Sequence, residues 1–164
     1  MCYYFRSRVV MFVLAGMLLF AFGMPVDASP MTTTKAGVST QEMANLSSSK
    51  PTIKFVSVPA YGSFDNLTGQ VRRANPANYR VVVYIYVRSG WWIKPYLNQP
   101  QTIISPDGHW TCDITTGGID QFATKIIAYL IPATYTPPGL LGASTLPAEL
   151  EKNAVAKVKV TRHA

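Results

Sequence analysis

Tyr79-Arg80-Val81-Val82-Val83-Tyr84-Ile85-Tyr86-Val87-Arg88 is the stretch that decides the fold. Side chains of an extended chain alternate between two faces, so Val81, Val83, Ile85 and Val87 share one face. Arg80, Val82, Tyr84, Tyr86 and Arg88 share the other. β-Branched and aromatic residues suit a pleated, half-buried surface. The aliphatic set is therefore expected to face a core, and the Tyr/Arg set to face outward or to lie under a loop. Working outward from here, similar short runs predict strands over 53–58, 67–73, 101–105, 109–114, 125–131 and 154–161, with a weaker one over 91–96. In the last of the regular runs Ala154, Ala156, Val158 and Val160 form one face, while Lys157 and Lys159 lie on the other with Val155. Turn chemistry separates the runs at Tyr61-Gly62-Ser63, Asn75-Pro76-Ala77-Asn78, Pro106-Asp107-Gly108 and Thr116-Gly117-Gly118. Pro106-Asp107-Gly108 is short enough to join its neighbours as a hairpin. Helix is confined to 146–153, with Pro147 near its start, and 132–145 is too rich in Pro and Gly for regular structure. The expectation is an all-β fold: a single antiparallel β-sandwich of about seven strands over residues 51–162, with at most one short helix.

The N-terminus carries a different signal. Arg6 and Arg8 precede an apolar run from Val9 to Met24, Pro25 breaks it, and Val26-Asp27-Ala28 offers small or modest side chains for cleavage after Ala28. Residues 1–28 thus read as a signal peptide, and the run is shorter than the roughly 20 apolar residues that cross a bilayer. An uncleaved anchor is the alternative. The reading expects a secreted or periplasmic protein with no stable membrane insertion after cleavage. Residues 29–50 are rich in Thr, Ser and Ala without sustained periodicity, and read as a flexible leader. Cleavage would leave 13 basic and 7 acidic side chains, a net charge of +6, with Cys112 as the one cysteine. No intramolecular disulfide could then form, and the core alone must hold the domain.

The order of motifs has a precedent. A Gly69-Gln70-Val71 strand, a strand of the Tyr-x-Val-x-Val type, an Asp107-Gly108-His109-Trp110 hairpin and an Ala128-to-Ile131 strand follow one another. This resembles the small immunoglobulin-like or transthyretin-like sandwiches appended to bacterial secreted enzymes. Ser89-Gly90-Trp91-Trp92-Ile93-Lys94-Pro95, with Thr116-Gly117-Gly118 downstream, is similar to an accessory module of secreted bacterial carbohydrate-active proteins. The resemblance spans roughly Thr52 to Arg162 and implies a sandwich fold and a binding role near carbohydrate.

Chemistry-bearing residues are sparse. Cys112 and His109 lie three apart on one strand and point to opposite faces, so they do not make a nucleophile and base; Cys112 shares its face with Trp110 and Ile114 and reads as core. Asp107, Asp113 and Asp120 cluster in sequence, but a glycosidase needs two carboxyls across a cleft, and turn roles account for these acids more simply. Neither the spaced His/Cys ligands of zinc nor the dense oxygen run of calcium is seen. No catalytic residue, metal ligand or cofactor is assigned, and no nucleic-acid motif accompanies the scattered basic charge.

The aromatics are the strongest remaining signal. Trp91 and Trp92 must face opposite ways on a strand, so one is expected inside and the other exposed, joined by Tyr96, Tyr84 and Tyr86. Such a face, with polar neighbours, suits sugar rings. The competing expectation is that both Trp pack inside or under 132–145. The reading is a non-catalytic binding module for a polysaccharide or cell-envelope polymer. The alternatives are a protein-interaction module docking through a strand edge and, last, a small hydrolase using Asp113 and Asp120.

Overall fold

Residues 50–163 are described by a computed structural model. The signal-peptide expectation, and that for the leader apart from Lys50, lie outside the described residues. The strands are β1 (Thr52–Ser57), β2 (Leu67–Arg72), β3 (Tyr79–Val87), β4 (Gly90–Lys94), β5 (Gln101–Thr102), β6 (His109–Cys112), β7 (Lys125–Pro132), β8 (Leu141–Ala143) and β9 (Ala156–Thr161). Among the described residues one α-helix, α1 (Ala148–Asn153), precedes β9, and short 3-10 turns span Pro76–Asn78 and Asp120–Phe122. The strands form two antiparallel sheets: β1-β2-β6, and β8-β4-β3-β7-β9 with β5 also pairing to β3. The all-β sandwich is therefore present, with one very short strand, β8, beyond those expected, and with the expected 101–105 strand reduced to the two residues of β5.

The period of two in β3 builds both layers. Val81, Val83, Ile85 and Val87 enter the core between the sheets with Leu67, Trp110, Ile114, Ile126, Ala128 and Leu130. Ala156, Val158 and Val160 of β9 pack against the same core, and Lys157 and Lys159 are exposed, as the alternation predicts. The opposite face of β3 is also buried. Val82 and Tyr84 join Trp91, Ile93, Tyr129, Leu140 and Leu150 in a second cluster beneath the chain between β7 and β9. Of the two expectations for the Tyr/Arg face, burial under a loop holds for Tyr84, and exposure to solvent does not.

Two local expectations give way to tertiary pairing. Pro106-Asp107-Gly108 does close a tight turn, with Ser105 N–H donating to the His109 carbonyl at 2.8 Å. Its flanking strands nevertheless part company: β5 pairs with β3 and β6 with β2, so the turn carries the chain from one sheet to the other and is no sheet hairpin. The Pro/Gly-rich 132–145 stretch contains β8, which pairs with β4 through Trp91↔Ala143 and Trp92↔Leu141. Gly142, at φ +93°, permits this approach, because Gly90 and Trp92 lie against it.

Gly69 has a comparable reason to lack a side chain. It pairs with Trp110, and a Cβ there would sit 2.2 Å from the indole. Real Cβ atoms do not come so near, so the indole occupies the place where the side chain would be. Between β3 and β4 the two-residue turn Arg88-Ser89 has φ of 50° and 62°. Hairpin turns with positive φ at both central residues match strand twist but favour Asn and Gly.

Cys112 is buried beside Trp110 and Ile114, as its facing predicted, and desolvation pushes its thiol up to about 12. An unfolded cysteine ionises near pH ~8.5. The folded value is the higher, so the stability gained by holding a neutral thiol is whole below the unfolded value. It is lost as pH rises from there towards about 12. We expect a disulfide-type thiol reagent at pH 8 to label Cys112 only slowly in native protein and at once in urea. Fast native labelling would show that this core face opens.

Candidate functional site

β4 sends its two tryptophans to opposite faces, and the coverings differ. Trp91 is 8% exposed in the second cluster, its ring 5.2 Å from that of Tyr86. Tyr84 is wholly buried; its hydroxyl donates to the Pro138 carbonyl at 2.8 Å, and burial raises its pKa far above the usual tyrosine value. Tyr86 is half-buried, with Lys125 Nζ 4.9 Å above its ring. Tyr96 is exposed, just past β4, in an isolated bridge with Gln99. A single surface platform of all five aromatics is therefore not what the fold makes. Trp91 and Tyr84 are withdrawn by the 132–154 covering, and Tyr86, Trp92 and Tyr96 keep some exposure.

Trp92 lies on the sandwich-core side of the sheet, half-buried, and lines a cleft of about 310 Å³. The walls come from two segments. Val87, Arg88, Trp92 and Lys94 belong to the β3–β4 hairpin; Thr116, Gly117, Gly118, Ile119 and Asp120 belong to the loop before β7. The two strings that carry the sequence resemblance, Ser89-to-Pro95 and Thr116-to-Gly118, thus meet at one place. The indole Nε1 of Trp92 is shielded from solvent and has no hydrogen-bond partner among the described residues.

An ion pair closes the cleft floor. Lys94 and Asp120 are each 6% exposed, and the Lys94 ammonium bonds the Asp120 carboxylate directly. It also donates to Thr116 Oγ1 at 3.1 Å, while the Thr116 hydroxyl donates to the Pro95 carbonyl at 2.6 Å. The Gly117 N–H donates to the same Asp120 carboxylate at 2.9 Å. Buried charges persist where partners satisfy them, and these partners tie β4 to the 116–120 loop. Asp120 was expected to be a solvated turn residue. It does close the turn after the Gly pair, but it is buried because Lys94, 26 positions earlier, waits for it.

The other acids behave as turn chemistry predicts. Asp113 is exposed and accepts from Thr115 N–H at 2.8 Å and Thr115 Oγ1 at 3.0 Å; Asp107 accepts from His109 N–H at 3.0 Å. Asp113 does not line the cleft, so Asp113 and Asp120 do not face one another across it. His109 is exposed and Cys112 buried, on opposite faces.

A second groove, about 370 Å³, runs past Trp91, Tyr129, Glu151 and Lys157. Three of its polar groups already satisfy each other. Tyr129 donates to Glu151 at 2.9 Å, and Lys157 donates to Glu151 at 2.6 Å, which holds that carboxyl below the usual range. Among the described residues, no group of three or more His, Cys, Asp or Glu is placed to hold a metal, and no helix is long and apolar enough to cross a membrane. Sequence reasoning missed the Lys94–Asp120 pair and the place of Arg88 beside Trp92. The one available signal was a lysine on an otherwise apolar strand, Trp91-Trp92-Ile93-Lys94. No family model, curated protein or solved structure matches this chain.

Proposed function

We propose that the domain is a secreted, non-catalytic binding module, and that the Trp92 cleft takes a saccharide unit of a polysaccharide or cell-envelope polymer. The observation that carries the reading is a half-exposed tryptophan in a cleft whose opposite wall is polar loop, Thr116-Gly117-Gly118, over a buried ion pair. A sugar ring offers apolar C–H faces to an indole and hydroxyls to hydroxyl, amide and guanidinium groups. The ion pair, already satisfied, acts as a fixed floor and contributes shape to the site. Export rests on the character of residues 1–28, and the module's setting on the motif resemblance.

Titration of the protein with oligosaccharides, followed by Trp fluorescence and calorimetry, tests this. Trp92→Ala is expected to weaken binding about tenfold or more, which is the order of an aromatic contact with its buried area. Its thermal unfolding should remain cooperative. Trp91→Ala is the contrast: Trp91 lies in the second cluster, so its removal should cost stability first. Glycan binding that survives Trp92→Ala unchanged would remove the cleft from consideration.

A second reading has its own observation. Tyr61 and Phe122 are both exposed, with rings 5.4 Å apart, and Phe64 is 70% exposed. These suit protein contact better than strand addition would, because the sheet edges are blunted. Lys54 lies on β1, Lys157 and Lys159 lie on β9, and β6 and β8 are only four and three residues long.

A further inference from the structure

We propose that the glycan taken by the Trp92 cleft is an acidic one, and that Arg88 reads its carboxylate. This deepens the binding reading above and rests on it. Two cations line the cleft, and they are not equivalent. Lys94 is buried and neutralised by Asp120. Arg88 is exposed, and among the described residues it makes no ion pair or side-chain hydrogen bond. The uncommitted charge of the cleft is therefore one guanidinium beside one indole. A guanidinium fork matches a carboxylate with two parallel hydrogen bonds, which a hydroxyl cannot reproduce. An acidic sugar supplies both an apolar ring face for Trp92 and an anion for Arg88.

The φ of 50° at Arg88 places a long side chain in the left-handed region, at a turn position where Asn or Gly would sit without strain. Arg73 shares that conformation, so it is the place of Arg88 in the cleft lining, and not its backbone, that singles it out. The net charge of +6 after cleavage adds a long-range pull on a polyanion, though it does not choose where the polyanion lands.

Arg73 supplies a matched control. It too is an exposed arginine with positive φ, at 61°, and it does not line the cleft. Asn at either position accepts the backbone conformation, so neither variant threatens folding. The experiment measures affinity for uronic-acid oligomers of several backbones, each beside its neutral methyl ester, at a salt concentration of about 150 mM. Wild type and Arg73→Asn should prefer at least one acid over its ester by about tenfold or more. Arg88→Asn should bring that ratio close to one. Equal affinity for every acid and ester in wild type overturns the proposal. So does a preference that survives Arg88→Asn, or one lost equally in Arg73→Asn, which would mean diffuse charge. If esters bind and Trp92→Ala removes that binding, the cleft reading stands without its acidic preference. If no oligomer of either kind binds, both fall.

Discussion

Replacing Asp120 with alanine is expected to destabilise the domain by about 3–5 kcal/mol. The number follows from what would be left behind. Lys94 is 6% exposed, and without Asp120 its ammonium keeps only the Thr116 hydroxyl as a partner. The Gly117 N–H loses its acceptor as well. Removing one member of a buried pair leaves an uncompensated charge, which costs far more than the pair itself contributes. The converse experiment separates these quantities. Lys94→Met with Asp120→Asn removes both charges, and the amide oxygen can still accept from Gly117. That double variant should recover most of the loss, since apolar replacement of a buried pair is often close to neutral. Urea midpoints for Lys94→Met, Asp120→Asn and the double variant measure the coupling directly. A cost below about 1 kcal/mol for Asp120→Ala would mean that the Lys94 ammonium finds solvent, and the cleft floor would not be the closed device described above.

The contrast between Asp120 and Asp113 also marks the limit of reading this chain without its fold. Both acids sit near turn residues, and both accept hydrogen bonds from nearby backbone N–H groups. What separates them is a lysine 26 positions earlier, which no local pattern connects to either. The strands were legible because alternation is a property of neighbours: Val81, Val83, Ile85 and Val87 announce one face wherever the strand finally lies. What covers the other face was not legible. Tyr84 and Arg88 alternate together in sequence, yet Tyr84 is under the segment after β7 and Arg88 is at a rim. Likewise, the opposed directions of Trp91 and Trp92 follow from strand geometry, but which ring keeps exposure depends on the 132–154 covering. Sheet membership was the least local property of all. The 106–108 turn has hairpin chemistry and a hairpin-like closing bond, and still β5 and β6 belong to different sheets.

Arg162→Ala is expected to cost about as much as Asp120→Ala, roughly 3–5 kcal/mol, for a different reason. Arg162 follows β9 and is 6% exposed, with no carboxylate partner among the described residues. Its guanidinium instead donates to four backbone carbonyls: Nε to Ala123 at 2.9 Å, Nη1 to Pro59 at 3.1 Å and Ala60 at 3.2 Å, and Nη2 to Gln121 at 3.2 Å. Burial lowers its pKa, but an arginine keeps its proton in a protein, so the group is a permanent donor fork. Truncation would take from these carbonyls the donors that now serve them, and each unsatisfied buried acceptor costs on the order of 1–3 kcal/mol. Lysine is no substitute, because a single ammonium has three donors and no planar fork to span segments 59–60 and 121–123. Arg162→Lys should therefore recover only a minor part of the loss. The effect should also be local before it is global. Gly62 N–H donates to the Gln121 carbonyl at 2.9 Å, and the Tyr61–Phe122 contact is built on these same segments. Hydrogen exchange at Gly62 should accelerate in Arg162→Lys at temperatures where β3 and β7 amides remain protected. If Gly62 instead exchanges together with β3, the fork stabilises the whole sandwich and does not fasten one end of it. The exposed Tyr61–Phe122 pair would then owe its position to the sheets and not to Arg162.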